Sequence, residues 1–136
     1  MRTSESDPAL HVKFYDNAIP VGVPGTAQDY QEEDIPTAQL LGLSAAVFLV
    51  RASGDSMEGA RIFDGSIITV DRSEKAGHNK IIVGMINKEF TIKRLVKTYA
   101  GWVLHPENHA YTPYLIRPDD EFEVWGVVKK VINNAE

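Results

Sequence analysis

The chain has 136 residues, 43% hydrophobic and 24% charged, the proportions of one ordinary globular domain with its own core; two domains would be a squeeze. It holds no cysteine, which excludes disulfides, thiolate metal sites and a cysteine nucleophile, so covalent chemistry falls to serine, threonine or lysine. The net charge of −5 lies wholly in the first third, where residues 1–45 carry seven acids against Arg2 and Lys13; with no basic stripe elsewhere, direct nucleic-acid binding is disfavoured.

The start, Met1 to Pro8, lacks an apolar signal core, and no apolar run approaches a membrane span, so a cytoplasmic location is expected. Residues 1–36 read as an extended acidic arm punctuated by Pro8, Pro20, Pro24 and Pro36, within which Leu10 to Tyr15 alternates and can pair as a strand. The segment Ile19 to Gly25 is apolar and held extended by its prolines. Such a peptide is what a protease cleft takes as a strand, and equally what a greasy linker looks like. Pro36 to Leu43 predicts a short helix, with Thr37 as its cap and Gly42 near its end.

Ala45 to Val50 reads as a buried strand that delivers the turn Ser53-Gly54-Asp55-Ser56-Met57. Gly54 permits a tight or left-handed backbone, and Met57 to Arg61 can close one helical turn with Ser56 at or near its first residue. There, free backbone N–H groups could receive an oxyanion beside a rigidly held hydroxyl. Serine, glycine and aspartate are also what any strand-to-helix turn prefers on conformational grounds.

Beyond the turn, strands are expected at Ser66 to Asp71, Lys80 to Ile86 and Glu89 to Val96, with Asn87-Lys88 as a hairpin turn lacking the favoured glycine, a β-meander over a third of the molecule. Further strands are expected at Trp102 to His105, Tyr114 to Ile116 and Glu121 to Ile132. The last has apolar residues on both parities, so it is central or covered by a partner. Frequent short strands separated by turn signals give an all-β, barrel-like domain over 37–136. His11, His78, His105 and His109 lack metal-ligand spacing, so no metal or other cofactor is expected. Trp102 and Trp125 read as core or dimer contacts, not as nucleic-acid platforms.

Lys93 shares a strand parity with Thr91 and Leu95, opposite Phe90, Ile92 and Val96, which are expected to face the core. On an open face it is a solvated lysine, and at a pKa near 10.4 only about one molecule in a thousand holds a free amine at neutral pH. If that face instead lines a cleft containing Ser56, desolvation disfavours the ammonium and the amine can take the hydroxyl proton.

Ser53-Gly54-Asp55-Ser56-Met57, then Asp64-Gly65-Ser66, then Phe90-Thr91-Ile92-Lys93-Arg94-Leu95 resembles the peptidase domain of LexA-type repressors and the UmuD family, self-cleaving serine–lysine proteins. The resemblance is closer to UmuD in length, in Gln28-Asp29-Tyr30, in the loop Asn108 to Pro113 and in Val124-Trp125-Gly126-Val127-Val128. It implies a LexA/UmuD-like fold, with Ser56 as nucleophile, Lys93 as general base, and an oxyanion site from the backbone amides of Asp55 and Ser56. Arg94 would be structural. The bond to be cut would be Val21-Gly22, a departure from the alanine–glycine or cysteine–glycine usual in the family. Ser66, where an aspartate is common, is a second departure.

The resemblance further implies an SOS mutagenesis protein. Its arm would be cut under stimulation by a RecA–single-stranded-DNA filament, and its trimmed homodimer would join a UmuC-type translesion polymerase. Three alternatives stand beside it: a non-cleaving polymerase-interaction module of the same fold, a LexA-like repressor peptidase domain, and a signal-peptidase-like enzyme. The proline-bearing acidic arm argues against a helix-turn-helix, and the lack of an apolar anchor against a signal peptidase.

Overall fold

The computed structural model describes residues 11–15 and 32–135; Val21, Gly22 and the Gln28 to Tyr30 motif lie outside the described residues. The chain forms two compact units, Met1–Ser44 and Ala45–Glu136.

In the first unit, strand β1 (His11–Tyr15) pairs antiparallel with β2 (Glu32–Pro36), His11 opposite Pro36 and Tyr15 opposite Glu32. Helix α1 (Thr37–Leu41) follows directly. Its cap position is Pro36, whose φ of −63° suits a helix entrance but which carries no capping oxygen. Thr37, expected as the cap, is instead the first helical residue. Gly42 closes the helix in the left-handed conformation at φ 69°, its N–H on the Gln39 carbonyl and the Leu43 N–H on that of Ala38.

The second unit is all-β. Its strands are β3 (Val47–Arg51), β4 (Ile67–Asp71), β5 (Lys80–Ile86), β6 (Glu89–Thr98), β7 (Gly101–His105), β8 (Tyr114–Leu115) and β9 (Phe122–Ile132). They form one antiparallel sheet in the order β3-β4-β9-β5-β6-β7-β8. The expected meander from Ser66 onward is therefore interrupted: β4 does not pair with β5, because β9 lies between them. That is where a strand apolar on both parities belongs, since both its edges are paired and its valines enter apolar clusters on the two sides of the sheet. The register shifts between Thr69 and Val70 on one side and between Val83 and Gly84 on the other. A Cβ on Gly126 would stand 2.6 Å from Val70 Cγ1 and 2.9 Å from the Asp71 carbonyl oxygen, so only glycine fits this crowded crossing.

The β5–β6 hairpin turns through Asn87 and Lys88 at φ 49° and 73°, both left-handed as a type I′ turn requires. Glycine is dispensable because Asn87 is anchored at three atoms. Its N–H donates to the Glu121 carbonyl, its Oδ1 accepts the Glu121 N–H, and its Nδ2 donates to Asp120.

Two apolar clusters cover the sheet. Ala52, Met57, Ile62, Ile68, Val70 and Val83 form the first; Ile82, Leu95, Leu104 and Val127 form the second. Ile82 and Val83 are adjacent on β5 and enter different clusters, as alternation dictates for a sheet buried on both sides. The expectation that only the Phe90, Ile92, Val96 parity of β6 meets the core is accordingly corrected: Leu95 is 5% exposed in the second cluster, whereas Phe90 is 61% exposed.

Candidate functional site

β3 ends at Arg51, and the chain then folds back on the start of β4: the Ala52 N–H donates to the Ser66 carbonyl and the Gly65 N–H to the Ala52 carbonyl, both at 2.8 Å. The turn so clamped is fixed at three further points. Gly54, at φ 85°, donates its N–H to Asp64 Oδ1 at 2.9 Å. Met57 is buried in the first apolar cluster. The segment Glu58–Ala60 makes a single 3₁₀ turn, with Met57 at its cap position, and its Gly59 N–H donates to the Glu107 carbonyl at 2.7 Å. Ser56 therefore stands one residue before the cap. Neither the Asp55 nor the Ser56 N–H donates to any partner among the described residues.

Lys93 reaches this turn from β6. Its Nζ lies 3.1 Å from Ser56 Oγ, 3.0 Å from Thr91 Oγ1 and 3.2 Å from the Ile92 carbonyl oxygen. Alternation already places Thr91 and Lys93 on one face of the strand. The lysine is half-buried, and desolvation holds its pKa below the ordinary lysine value. No carboxylate pairs with the amine among the described residues, so nothing opposes that shift. The three neighbours also suit the uncharged form. A neutral amine has two N–H groups and one lone pair, and Thr91 and the Ile92 carbonyl can accept the two while the lone pair accepts the Ser56 O–H.

Both residues line a cleft of about 390 Å³, walled by apolar groups that include Val50, Ala52 and Met57 from the β3 side and Phe90 and Ile92 from β6. Trp125, expected as a core or dimer contact, lines the same cleft, 39% exposed, with its ring edge-on to Phe90 at a centroid distance of 5.1 Å. Trp102 is 36% exposed under the Lys97 ammonium, 5.7 Å from its ring centre.

The Asp55 carboxylate is turned to a different partner, accepting a hydrogen bond from the Tyr111 hydroxyl, and its carbonyl accepts one from Asn108 Nδ2 at 2.8 Å. Arg94, next to Lys93, donates through Nε and Nη2 to Glu107 at 3.2 and 3.1 Å and through Nη1 to the Asn79 carbonyl at 2.6 Å, contacts that tie elements together. Ser66 is buried; its Oγ accepts the Phe63 N–H at 2.8 Å and donates to Asn133 Oδ1. His78 Nδ1 accepts the Lys97 N–H, and His105 lies 3.6 Å from Glu107. Among the described residues no three histidine or acidic side chains are grouped to hold a metal ion.

The Peptidase S24-like family model matches residues 13–129. Protein MucA of Salmonella typhimurium is 39% identical over 119 residues, which is 86% of this chain and 81% of MucA. Protein SamA of Salmonella typhimurium is 37% identical over 123 residues, covering 90% of this chain and 85% of SamA. The LexA repressor of Bordetella avium is 32% identical over 114 residues, 84% of this chain but only 54% of the repressor.

Proposed function

Because the chain belongs to the Peptidase S24-like family, in its UmuD group, we propose that it is a self-cleaving serine–lysine peptidase whose substrate is its own arm at Val21-Gly22. The observation that carries this reading is the 3.1 Å approach of Lys93 Nζ to Ser56 Oγ, with no acid among the described residues to keep the amine charged.

The neutral amine of Lys93 removes the hydroxyl proton as Ser56 Oγ attacks the Val21 carbonyl carbon. The carbonyl oxygen gains negative charge and is met by the N–H groups of Asp55 and Ser56. The Val21–Gly22 C–N bond then breaks, the Lys93 ammonium returns its proton to the Gly22 amine, and an ester joins Val21 to Ser56. Water, deprotonated by the amine of Lys93, hydrolyses that ester and restores the serine.

An intramolecular substrate has a high effective concentration, so restraint must come from a rarely docked arm or from a mostly charged lysine. A RecA–single-stranded-DNA filament relieves it by stabilising the cleavable arrangement, and the trimmed homodimer serves as accessory subunit of a UmuC-type translesion polymerase. The test is mass spectrometry of the full chain after incubation with RecA filaments. A fragment beginning at Gly22 in the wild type, absent from Ser56→Ala, supports the reading, and a wild type that stays whole sinks it.

One observation favours a second reading. Valine at position 21 is β-branched and bulky for a pocket suited to a small side chain, which fits a polymerase-interaction module that keeps the fold and is not cut. Polymerase binding by an intact, RecA-treated chain would select it.

A further inference from the structure

Asp55 is gripped at two of its oxygens from a loop more than fifty residues away: Asn108 Nδ2 donates to its carbonyl at 2.8 Å and the Tyr111 hydroxyl to its carboxylate. A peptide unit is planar and trans, so its C=O and N–H point in opposite directions. Whatever fixes the Asp55 carbonyl therefore also aims the Ser56 N–H, which belongs to the same peptide unit and donates to nothing among the described residues.

The donor is itself oriented. Asn108 Oδ1 accepts the Ala110 N–H at 2.9 Å, which commits the other end of the amide, Nδ2, to Asp55. The loop is in turn braced against the serine turn by the Gly59 N–H on the Glu107 carbonyl, at 2.7 Å, and against the strand of Lys93 by the Arg94–Glu107 ion pair at 3.1 Å. One loop thus holds the nucleophile's backbone and the base's strand in register.

We propose that Asn108 is a positioning residue that sets the Asp55–Ser56 peptide plane so that the Ser56 N–H is aimed at the oxygen of the bond under attack. This rests on the serine–lysine reading above and adds to it the group that orients one oxyanion donor.

Two variants of the full chain test it. Asn108→Asp keeps the acceptor for the Ala110 N–H and loses the donor to Asp55; Asn108→Ala loses both without adding charge. The reaction followed is phosphonylation of Ser56 by a fluorophosphonate, in which the Oγ–P bond forms, fluoride leaves and the hydroxyl proton passes to Lys93. This needs no cleavable arm. Both variants are expected to react roughly 10- to 100-fold more slowly than wild type, less than the roughly 100- to 1,000-fold lost when an oxyanion donor is removed outright, because the Ser56 N–H is misaimed and not deleted. The pH midpoint of the reaction and the thermal midpoint are expected to stay unchanged, and the Ser56 amide resonance to move. An Asn108→Ala rate within about threefold of wild type overturns the proposal, as does a rate loss that comes with a displaced pH midpoint and a lower thermal midpoint, the mark of a scaffold residue. A wild type that labels at Ser56 but keeps its arm would sink self-cleavage alone. If the wild type neither labels nor cleaves, the amide resonance decides: unmoved in both variants, it overturns the proposal.

Discussion

Thr91 Oγ1 accepts a 3.0 Å hydrogen bond from the amine of Lys93, two residues further along the same strand. The bond occupies one N–H of the amine and so helps direct its lone pair toward Ser56, 3.1 Å away. Thr91→Val keeps the shape and deletes the acceptor. Self-cleavage is expected to slow by about tenfold, the cost of one lost orienting hydrogen bond, with the protein still folded. First-order cleavage rates and circular dichroism check this.

The pH dependence follows from the desolvation of Lys93. Cleavage is expected to rise with pH through the lowered pKa of Lys93 and level off before the ordinary lysine range; a flat profile would remove Lys93 from the base role. Stability moves in the same sense. Between the lowered folded-state pKa and the ordinary value of 10.5 the unfolded chain binds the extra proton, so stability increases with pH across that window, and the full cost of burying the charge is felt below it. Lys93→Met should flatten this slope and abolish cleavage, as urea unfolding at several pH values alongside cleavage assays would show.

Position 59 has no room for a side chain. A Cβ there would lie 2.6 Å from the Glu107 carbonyl oxygen, the same atom that accepts the Gly59 N–H. Gly59→Ala is expected to cost roughly 1–3 kcal/mol and to loosen the serine turn, because the clash is with backbone and not with a side-chain end that can swing away. Denaturant titration measures the loss.

The Ser66 hydroxyl joins the Phe63 N–H to Asn133 Oδ1. Ser66→Ala removes two part-buried hydrogen bonds, for an expected loss of about 1–3 kcal/mol. A thermal midpoint equal to that of wild type would contradict this account.

At the arm, Val21→Ala is expected to accelerate self-cleavage by about tenfold or more, the scale on which a pocket discriminates by one or two methyl groups. Parallel time courses of RecA-stimulated cleavage decide it. An unaltered rate would mean that steric crowding at position 21 is not what limits the cut.

The strands were legible because β-branched runs and turn residues alternate plainly. Lys80–Ile86 lies where its apolar run predicts, and β6 extends two residues past Val96 to Thr98. Their order was not, since nothing local distinguishes a last strand that pairs at an edge from one inserted between β4 and β5. For the site, motif spacing picked out Ser56 and Lys93, and the structure brings their side chains together. It did not pick out Asn108 and Tyr111 as partners of Asp55, or Phe90 and Trp125 as cleft walls, because those contacts span long stretches of chain and depend on tertiary geometry. Thr37 misled because a threonine after a proline looks like a cap, while the proline itself takes that place.

The place of β9 has a consequence for the order of folding. Among the described strands, it is the sole hydrogen-bonded bridge between the β3–β4 ribbon, which delivers Ser56, and the β5–β8 ribbon, which carries Lys93. Both ribbons precede Phe122–Ile132 in the chain, so each can form from neighbouring strands before the one that joins them is paired. The two reactive groups thus sit on ribbons built from local pairings, and the sheet that spans them is completed only by the long-range pairing of β9.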